Sequence, residues 1–347
     1  MQLKKWFIIA GALFITSQLC LHLFDLHFAN FSQTSTVSNL TSLMVPFENL
    51  ERNATFSCSE LTLQSRYKLE FQQLEHYDLN QSYKQPPMSI RSKQQNQAGL
   101  PQLPYFYSLW KTASILPRLI TPCEHQVYIN LLKTFDQICR QGGVEYMISY
   151  GTLLGSYRNH DILPYDDDVD VLIHVKYYSV LSKINMLNNK TVWEFYRNSP
   201  TNMKFYFLES PSAGIYKWRW PFIGIDFYTD NATHIRSYMH IRKDIIFPLV
   251  LRPIAGLWLF GPRNVYKFFQ VMASRYYSSF SIDEKCYTQA YSHRDERRIR
   301  RQKTVFCEQL RNIYPYIRRI CDSDYCQEHL MLNNVTTLYV LKMIRDK

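Results

Sequence analysis

Residues 150–173 of the chain, Y-G-T-L-L-G-S-Y-R-N-H-D-I-L-P-Y-D-D-D-V-D-V-L-I, join a glycine-flanked turn to a run of acids and then to an apolar segment. Strand side chains alternate between two faces, so Asp166, Asp168 and Asp170 share one face if the strand begins early enough. Carboxylates on one face repel one another unless a cation lies among them. Hard oxygen ligands select Mg²⁺, Mn²⁺ or Ca²⁺, so the stretch predicts a metal site.

Two plainer explanations of the acids compete with a metal site. Acidic clusters are commonly solvated turns, but here four acids within five residues run directly into an apolar strand pattern, which a solvated turn does not require. An EF-hand calcium loop needs a ligand spacing that the stretch lacks.

The turn before the acids suits phosphate binding. Gly151 and Gly155, with Thr152 and Ser156 in the same turn, would let the backbone approach a phosphate at a helix N-terminus. Arg158 would add a planar fork for the same anion. Two glycines flanking a turn are a weak signal alone, but a carboxylate-held metal close by in the sequence makes phosphoryl or nucleotidyl transfer the predicted chemistry.

The flanking sequence predicts a mixed α and β domain. A helix is predicted from the cap Thr121-Pro122-Cys123-Glu124 to Gly142-Gly143. Short strands are predicted at 146–149, 169–175, 192–197, 203–208 and 222–228, followed by helices with many basic residues. Strands mixed with helices indicate an α/β or α+β fold.

Two later segments are open to more than one interpretation. The apolar block 245–260 contains Arg252 and two prolines, and an unpaired Arg is costly in a bilayer, so the block is predicted to be core or the wall of a substrate cleft. A second segment holds the basic residues Arg294, Arg297, Arg298, Arg300, Arg301 and Lys303. These are predicted to form the solvated face of a helix, and contact with an anionic glycan or a donor phosphate is the alternative.

The N-terminus predicts a membrane anchor. Lys4 and Lys5 precede the uncharged run 6–24, which is long enough to span a bilayer core and is followed by Asp25. A cleaved signal peptide is the alternative. We expect a cytoplasmic tail at 1–5, a signal-anchor at 6–26, a glycosylated stem at 27–103 and a lumenal catalytic domain at 104–347.

Several features agree with a lumenal location. The chain has seven N-x-S/T sequons, at Asn30, Asn39, Asn53, Asn80, Asn189, Asn231 and Asn334. Seven cysteines follow the predicted anchor, so disulfides with at least one unpaired cysteine are expected, and a zinc site is the alternative. The net charge of +11 would suit nucleic acid, anionic lipid or phosphorylated substrates, and a lumenal location argues against nucleic acid.

The stretch 150–173 resembles the signature of the LicD family of fukutin and fukutin-related protein-like phosphotransferases. The segment 151–155, Arg158, Pro164 and the three alternating acids match in type and spacing, whereas Leu163 and Tyr165 replace the usual Ile and Trp. Two later segments, 220–227 and 247–264, also resemble blocks of the family, and the first of them includes Asp226.

The resemblance implies a nucleotidyltransferase-like mixed sheet with flanking helices. It implies transfer of a phosphorylated alcohol, such as ribitol phosphate or phosphocholine, from a CDP-activated donor to a glycan on protein or lipid. Asp168 and Asp170 would hold Mg²⁺ or Mn²⁺, Asp166 would be a further ligand or orienting acid, and Asp226 a third ligand or the base. Tyr165 would keep an aromatic wall at the substrate site.

Two other functions remain open at this point. A D-x-D glycosyltransferase would share the metal and the compartment, although the turn 151–158 favours the phospho-alcohol transferase. A non-catalytic membrane glycoprotein that assists another transferase is disfavoured by the intact acids. For either enzyme we expect a single-pass type II membrane protein of the Golgi or endoplasmic reticulum.

Overall fold

The computed structural model describes residues 82–84, 103, 111–188, 192–276, 282–298 and 301–345, all within the compact unit Phe47–Lys347. The predicted anchor and the sequons at Asn30, Asn39, Asn53, Asn80 and Asn189 lie outside these residues. Across the described ranges, no helix is both long and apolar enough to cross a bilayer.

Five α-helices are found in the described ranges. They are α1 (Pro122–Gly142), α2 (Tyr150–Asn159), α3 (Tyr178–Leu187), α4 (Lys243–Ile246) and α5 (Val265–Tyr276). The predicted start of α1 is confirmed, because Thr121 and Glu124 each accept a hydrogen bond from the other's backbone N–H. Its predicted end is confirmed as well, since Gly143 is left-handed (φ 64°).

A mixed seven-stranded sheet forms the centre of the domain. Its strands are β2 (Tyr146–Ile148), β3 (Val169–His174), β4 (Trp193–Ser199), β5 (Asn202–Phe207), β6 (Phe222–Asp230), β7 (His234–Arg236) and β8 (His240–Arg242). The order is β2-β3-β6-β5-β4, with β7 and β8 extending from β6. Only β3 and β6 pair in parallel among these strands. The mixed sheet confirms the predicted fold class in its α and β content.

The two faces of this sheet differ in chemistry. On one face, Phe195 and Phe205 pack against Phe135 of α1, with ring centroids 6.3 and 5.7 Å away. On the other face, the register sets both Asp170 and Lys204 opposite Gly224. The apolar face is therefore core, and Asp170 of β3 lies on the polar face.

A second sheet contains the last strands of the chain. It has the order β1-β17-β16-β15, with β1 at Ser82–Lys84, β15 at Tyr316–Cys321, β16 at Tyr325–Met331 and β17 at Thr337–Ile344. It packs on the hairpin of β9 (Val250–Ile254) and β10 (Leu257–Gly261), where Leu103 and Trp258 are buried together. Residues 82–84 and 103, which the sequence placed in the stem, therefore pack with the domain.

The helices predicted to continue after 228 are only partly present. Helices α4 and α5 exist, but the described residues between 285 and 344 form β-strands, turns and one 3-10 helix (Cys307–Leu310) instead. Burial alternates along Tyr325–Met331, so β16 has the period of a half-buried strand. The apolar block 245–260 is confirmed as core, because Arg252 is buried beside Glu328 (3.2 Å) in the β9–β10 region.

Four short strands lie between α5 and the second sheet. They are β11 (Lys285–Tyr287), β12 (Tyr291–Ser292), β13 (Arg297–Arg298) and β14 (Thr304–Phe306), which pair as β11–β14 and β12–β13. The helix predicted for the basic residues between 294 and 303 is wrong. The other described basic residues of this run, Arg297, Arg298, Arg301 and Lys303, are exposed as predicted. The Arg294 side chain is 42% exposed, and it also pairs with Glu124 (2.7 Å) and lies over the Trp220 ring.

The cysteines follow the expected oxidised pattern. Disulfides join Cys286 to Cys307 and Cys321 to Cys326, and Cys123 is also disulfide-bonded. Cys139 is free and buried, which agrees with the odd number of cysteines.

Candidate active site

The acids of 166–170 enter β3 at the polar face of the central sheet. Asp166, Asp167 and Asp168 are buried, and Asp170 is half-buried. The backbone N–H of Asp170 donates to Thr152 Oγ1 (2.7 Å), and its carbonyl accepts from the Ser149 N–H (3.1 Å). The N-terminus of α2 is therefore fixed beside Asp170.

Two glycines make room for these carboxylates. A Cβ on Gly224 would lie 2.3 Å from Asp170 Oδ1, and a Cβ on Gly151 would lie 2.2 Å from Asp166 Oδ2. Such contacts are far inside van der Waals distance, so each carboxylate occupies the space of a missing side chain. Gly151, predicted to approach a phosphate, thus also accommodates a carboxylate.

Other residues of the predicted phosphate turn have structural contacts. A Cβ on Gly155 would meet the Asp161 carbonyl at 2.3 Å, so this glycine lets the following loop pack on α2. Ser156 Oγ donates to the Pro253 carbonyl (2.7 Å) and ties α2 to β9. Thr152 holds Asp170, as described above.

Asp167 anchors the segment that follows α5. Its carboxylate accepts from Ser292 Oγ (3.0 Å) and from the His293 N–H (3.3 Å). Its carbonyl accepts from Tyr128 Oη and Trp220 Nε1, both at 2.8 Å. These bonds also bring His293 Nε2 within 3.1 Å of Asp168 Oδ2.

Asp226 and Lys204 complete the polar face. Asn202 Nδ2 donates to Asp226 Oδ1 (2.7 Å). Lys204 is buried, with Nζ 3.1 Å from Glu296 Oε1 and 3.5 Å from the centre of the Phe222 ring. The register sets both Asn202 and Lys204 on β5 beside the acid-bearing part of β6.

Burial, together with repulsion between neighbouring carboxylates, raises the pKa values of three of the acids. Burial and then the charge of Asp168 raise the pKa of Asp166 well above its usual range. The pKa of Asp170 is raised by burial, Asp168 and Asp226, against the opposing charge of Lys204. Burial also raises the pKa of Asp226, although the hydrogen bond from Asn202 opposes it. A cation among these groups would relieve the repulsion.

A cleft of about 150 Å³ opens beside Asp166. The start of α2 and the loop after it form one side, and α5 with the segment after β11 forms the other. The lining residues are Tyr150, Gly151, Leu154, Arg158, Leu163, Tyr165, Asp166, Phe269, Met272, Tyr287 and Gln289. Three predicted substrate-binding residues, Gly151, Arg158 and Tyr165, thus lie at one cleft next to a predicted catalytic acid.

Arg158 lines this cleft, but its guanidinium group forms hydrogen bonds with other groups of the protein. Its Nε donates to the Ile282 carbonyl (2.6 Å) and its Nη2 to the Lys285 carbonyl (2.9 Å), while Nη1 lies 3.3 Å from Tyr165 Oη. Tyr165 Oη in turn donates to Cys286 Sγ (3.0 Å). Arg158 therefore holds the segment 282–286 against α2.

Sequence reasoning missed Lys204, His293 and Glu296. Lys204 follows the alternation of β5, so its placement on a polar face could have been inferred once that face was known. His293 and Glu296 reach the site through contacts between segments far apart in sequence, and a hydrogen bond such as that from Ser292 to Asp167, across 125 positions, leaves no local signal.

Residues 143–264 match the sequence model of the family described as "LicD/FKTN/FKRP, nucleotidyltransferase domain". Over these residues the chain is similar to LicD-family proteins. A relative named "Lipopolysaccharide cholinephosphotransferase LicD", from Haemophilus influenzae, is 36% identical over 51 residues, which cover 15% of this chain and 19% of the relative. The family resemblance inferred from the sequence is confirmed.

The matched LicD region contains the four predicted acids and Lys204. It begins at the end of α1 and ends just before α5, so it includes α2, the central strands and the β9–β10 hairpin. His293, Glu296 and the second sheet lie after the LicD match.

Proposed function

We propose that the protein is a metal-dependent transferase that moves a phosphorylated alcohol from a CDP-activated donor to a hydroxyl of a glycan on protein or lipid. One observation carries the proposal: the N-terminus of α2 and the carboxylates of Asp168, Asp170 and Asp226 meet at one face of the sheet. A helix N-terminus favours phosphate, and the acids favour a cation. The name of the Haemophilus influenzae relative supports a phospho-alcohol and a glycan as the two substrates.

The chemistry of the acids fits Mg²⁺ or Mn²⁺. In the described part of the chain, no three His, Cys, Asp or Glu residues are arranged as a complete metal site. Mg²⁺ is commonly held by one or two carboxylates together with substrate phosphates, so Asp168 and Asp170 suffice as the proposed protein ligands, with Asp166 or Asp226 as a further proposed ligand. When bound, the ion would neutralise charge on the donor phosphates.

Asp226 is proposed as the base for the acceptor. Its raised pKa suits proton acceptance better than that of a solvated carboxylate, and Asn202 fixes its orientation. The acceptor hydroxyl would lose its proton to Asp226 and form a bond to the phosphorus that bears the alcohol. The bond from that phosphorus to the CMP oxygen would break, and CMP would leave.

We further propose that the catalytic domain lies in the lumen of the Golgi or endoplasmic reticulum, attached by one N-terminal helix. The disulfides Cys286–Cys307 and Cys321–Cys326 favour an oxidising compartment. Asn231 and Asn334, the two sequon residues in the described ranges, are both exposed.

Product analysis tests the reaction. The purified protein should be screened with CDP-choline, CDP-ribitol, UDP-sugars and GDP-sugars, with Mg²⁺, with Mn²⁺ and with EDTA. We expect CMP release and a phosphodiester on the glycan, both lost in EDTA. Release of UDP or GDP with a glycosidic bond formed, and no CMP from any donor, would establish the D-x-D glycosyltransferase instead.

A further inference from the structure

Aromatic rings gather on the loop between β5 and β6, at the edge of the polar face. Tyr216 stacks on Trp218, with centroids 4.4 Å apart and planes at 24°. Tyr216 is 41% exposed and Trp218 only 9%, so Tyr216 is the outer ring of the stack. Tyr291 of β12 lies nearby, since its hydroxyl and Trp218 Nε1 both donate to Glu296. We call Tyr216, Trp218 and Tyr291 the aromatic shelf.

The loop that carries the shelf is tightly held. The Ala213 N–H donates to the Trp218 carbonyl (3.0 Å), and the Trp220 N–H donates to the Pro211 carbonyl (2.9 Å). Gly214 has a left-handed φ of 53°, and a Cβ there would lie 2.4 Å from the Asp295 carbonyl. The loop therefore packs directly on the β12–β13 turn, and its exposed rings are pre-positioned.

The shelf is continuous with the candidate active site along two routes. Lys204 pairs with Glu296. On β5, Lys204 lies opposite Gly224, and the Asp170 carboxylate occupies the space beside that glycine. The Tyr291 ring is 5.1 Å from the His293 ring, and His293 Nε2 is 3.1 Å from Asp168. The shelf is therefore linked to the acids that the transfer reaction would use, through Glu296 and Lys204 and through Tyr291 and His293.

We propose that the aromatic shelf binds a sugar ring of the acceptor glycan. A pyranose has an apolar C–H face that stacks on an aromatic ring and hydroxyls at its rim that need polar partners. Tyr216 offers the ring, and the Tyr291 hydroxyl and the exposed Lys217 offer polar groups at its margin. Trp218 supports the stack from beneath through its bond to Glu296.

This inference rests on the proposed function, because the transfer reaction defines which ligand is the acceptor. Binding can nevertheless be measured separately from turnover. Saturation-transfer NMR on the full-length protein, with free hexose and N-acetylhexosamine disaccharides as probes, reports sugar protons that touch protein even when no donor is present. Steady-state kinetics then give KM for the acceptor and for the donor independently.

The matched variants are Tyr216→Ala, Tyr216→Phe and Tyr325→Ala. Tyr325 is 43% exposed and lies in the second sheet, so it controls for loss of an exposed tyrosine. Tyr216→Ala should raise the acceptor KM by about 3- to 10-fold, as expected for loss of one stacking contact. The donor KM and kcat should stay within twofold. Tyr216→Phe and Tyr325→Ala should resemble the wild type.

The outcomes separate the two proposals. If CMP is released and Tyr216→Ala leaves the acceptor KM and the NMR signal unchanged, the shelf is not the acceptor subsite although the transferase stands. If no CDP donor yields CMP, the proposed reaction is wrong, and sugar binding that Tyr216→Ala abolishes still supports a glycan-binding shelf.

The loop tip also exposes Ile215 (96%), so vesicle binding is a control. Binding to phosphatidylcholine–phosphatidylserine vesicles that Ile215→Ser abolishes, without any sugar binding, would make the shelf a membrane contact instead.

Discussion

At the scale of single residues, Gly224 limits what Asp170 can do. The space above its Cα is occupied by Asp170 Oδ1, so Gly224→Ala should displace the carboxylate, reduce transfer and lower the melting temperature. Asp170→Ala added to Gly224→Ala removes the clash and should restore the melting temperature without restoring activity. Differential scanning fluorimetry and CMP release measure the two effects. Equal melting temperatures for Gly224→Ala and the double variant would contradict this placement of Asp170.

The carboxylates themselves give the second prediction. Asp168→Asn and Asp170→Asn keep the side-chain volume but remove a charge from the proposed metal pair, so CMP release should fall to background. Stability should hold or rise in the absence of metal, because repulsion within the cluster decreases. Asp244→Asn, at an exposed pair with Arg242, is the control and should remain active. Near-wild-type rates in either site variant at saturating Mg²⁺ would rule out that ligand.

Some of these residues could be predicted from the sequence because their chemistry is local. Asp166, Asp168 and Asp170 alternate within five positions, a spacing typical of one face of a strand, but β3 begins only at Val169, so Asp166 and Asp168 precede the strand. The space that Gly224 leaves for Asp170 depends on the register of β3 with β6, two strands far apart in sequence. Such contacts follow from tertiary packing and leave no trace in local spacing.

Among the elements, α2 depends on Arg158 for its contact with the segment 282–286. Arg158→Ala should lower the free energy of unfolding by about 1.5–3 kcal/mol, because it removes charge-assisted hydrogen bonds to the buried Ile282 carbonyl and the half-buried Lys285 carbonyl. Arg158→Lys should not restore it, since an ammonium cannot reproduce the planar fork. Urea denaturation measures the stability. An unchanged unfolding free energy with a raised donor KM would favour the phosphate role over the structural one.

Helix α2 is also joined to the second sheet through a buried ionic group. His160 Nε2 lies 2.8 Å from Glu328 Oε2, and Arg252 and Arg319 pair with the same carboxylate. Burial lowers the pKa of His160 to about 4. Burial would raise the pKa of Glu328, but the two arginines outweigh it and hold that pKa well below its usual range.

These shifts predict how stability depends on pH. The folded protein binds a proton at His160 less readily than the unfolded chain, whose histidine has a pKa of about 6.5. As the pH falls from 6.5 to about 4, proton binding to the unfolded chain therefore lowers the free energy of unfolding, by roughly 2–3 kcal/mol. Protonation of Glu328 lowers the stability further only when the pH falls below the ordinary pKa range of a glutamate. Asparagine suits the left-handed φ of 50° at this position. His160→Asn should therefore make the melting temperature less dependent on pH between pH 6.5 and 4. A slope identical to that of the wild type would mean that His160 does not titrate in this window.

The elements of the central sheet were predictable, and those of the second sheet were not. Alternation with aromatic residues marked β3 to β6 to within one or two residues of their ends. In β15 to β17 the solvent-facing positions carry arginine, lysine and glutamine, which also favour helices, and this polarity hid the period of two. These segments are strands because they pair with other strands of the second sheet.

For the whole molecule, the proposed topology can be tested in cells. Glycosidase treatment should reduce the apparent mass, with Asn39 and Asn53 among the occupied sites, because a lumenal chain meets the glycosylation machinery. Protease added to intact microsomes should spare residues after the anchor. Asn231→Gln and Asn334→Gln test the two exposed sequons of the domain. A chain that is insensitive to glycosidase and cut by cytosolic protease would refute both the lumenal location and the argument from disulfides.

The pairing of β1 with β17 has a mechanical consequence. Because the two strands run parallel, tension that pulls the chain before Ser82 away from its C-terminal end loads their hydrogen bonds in shear. The pairing involves only three residue pairs, Ser82 with Val340 to Lys84 with Lys342. Pulling on the two ends therefore strains this short strand pair first, and the strands that bear the acids are spared until it gives way.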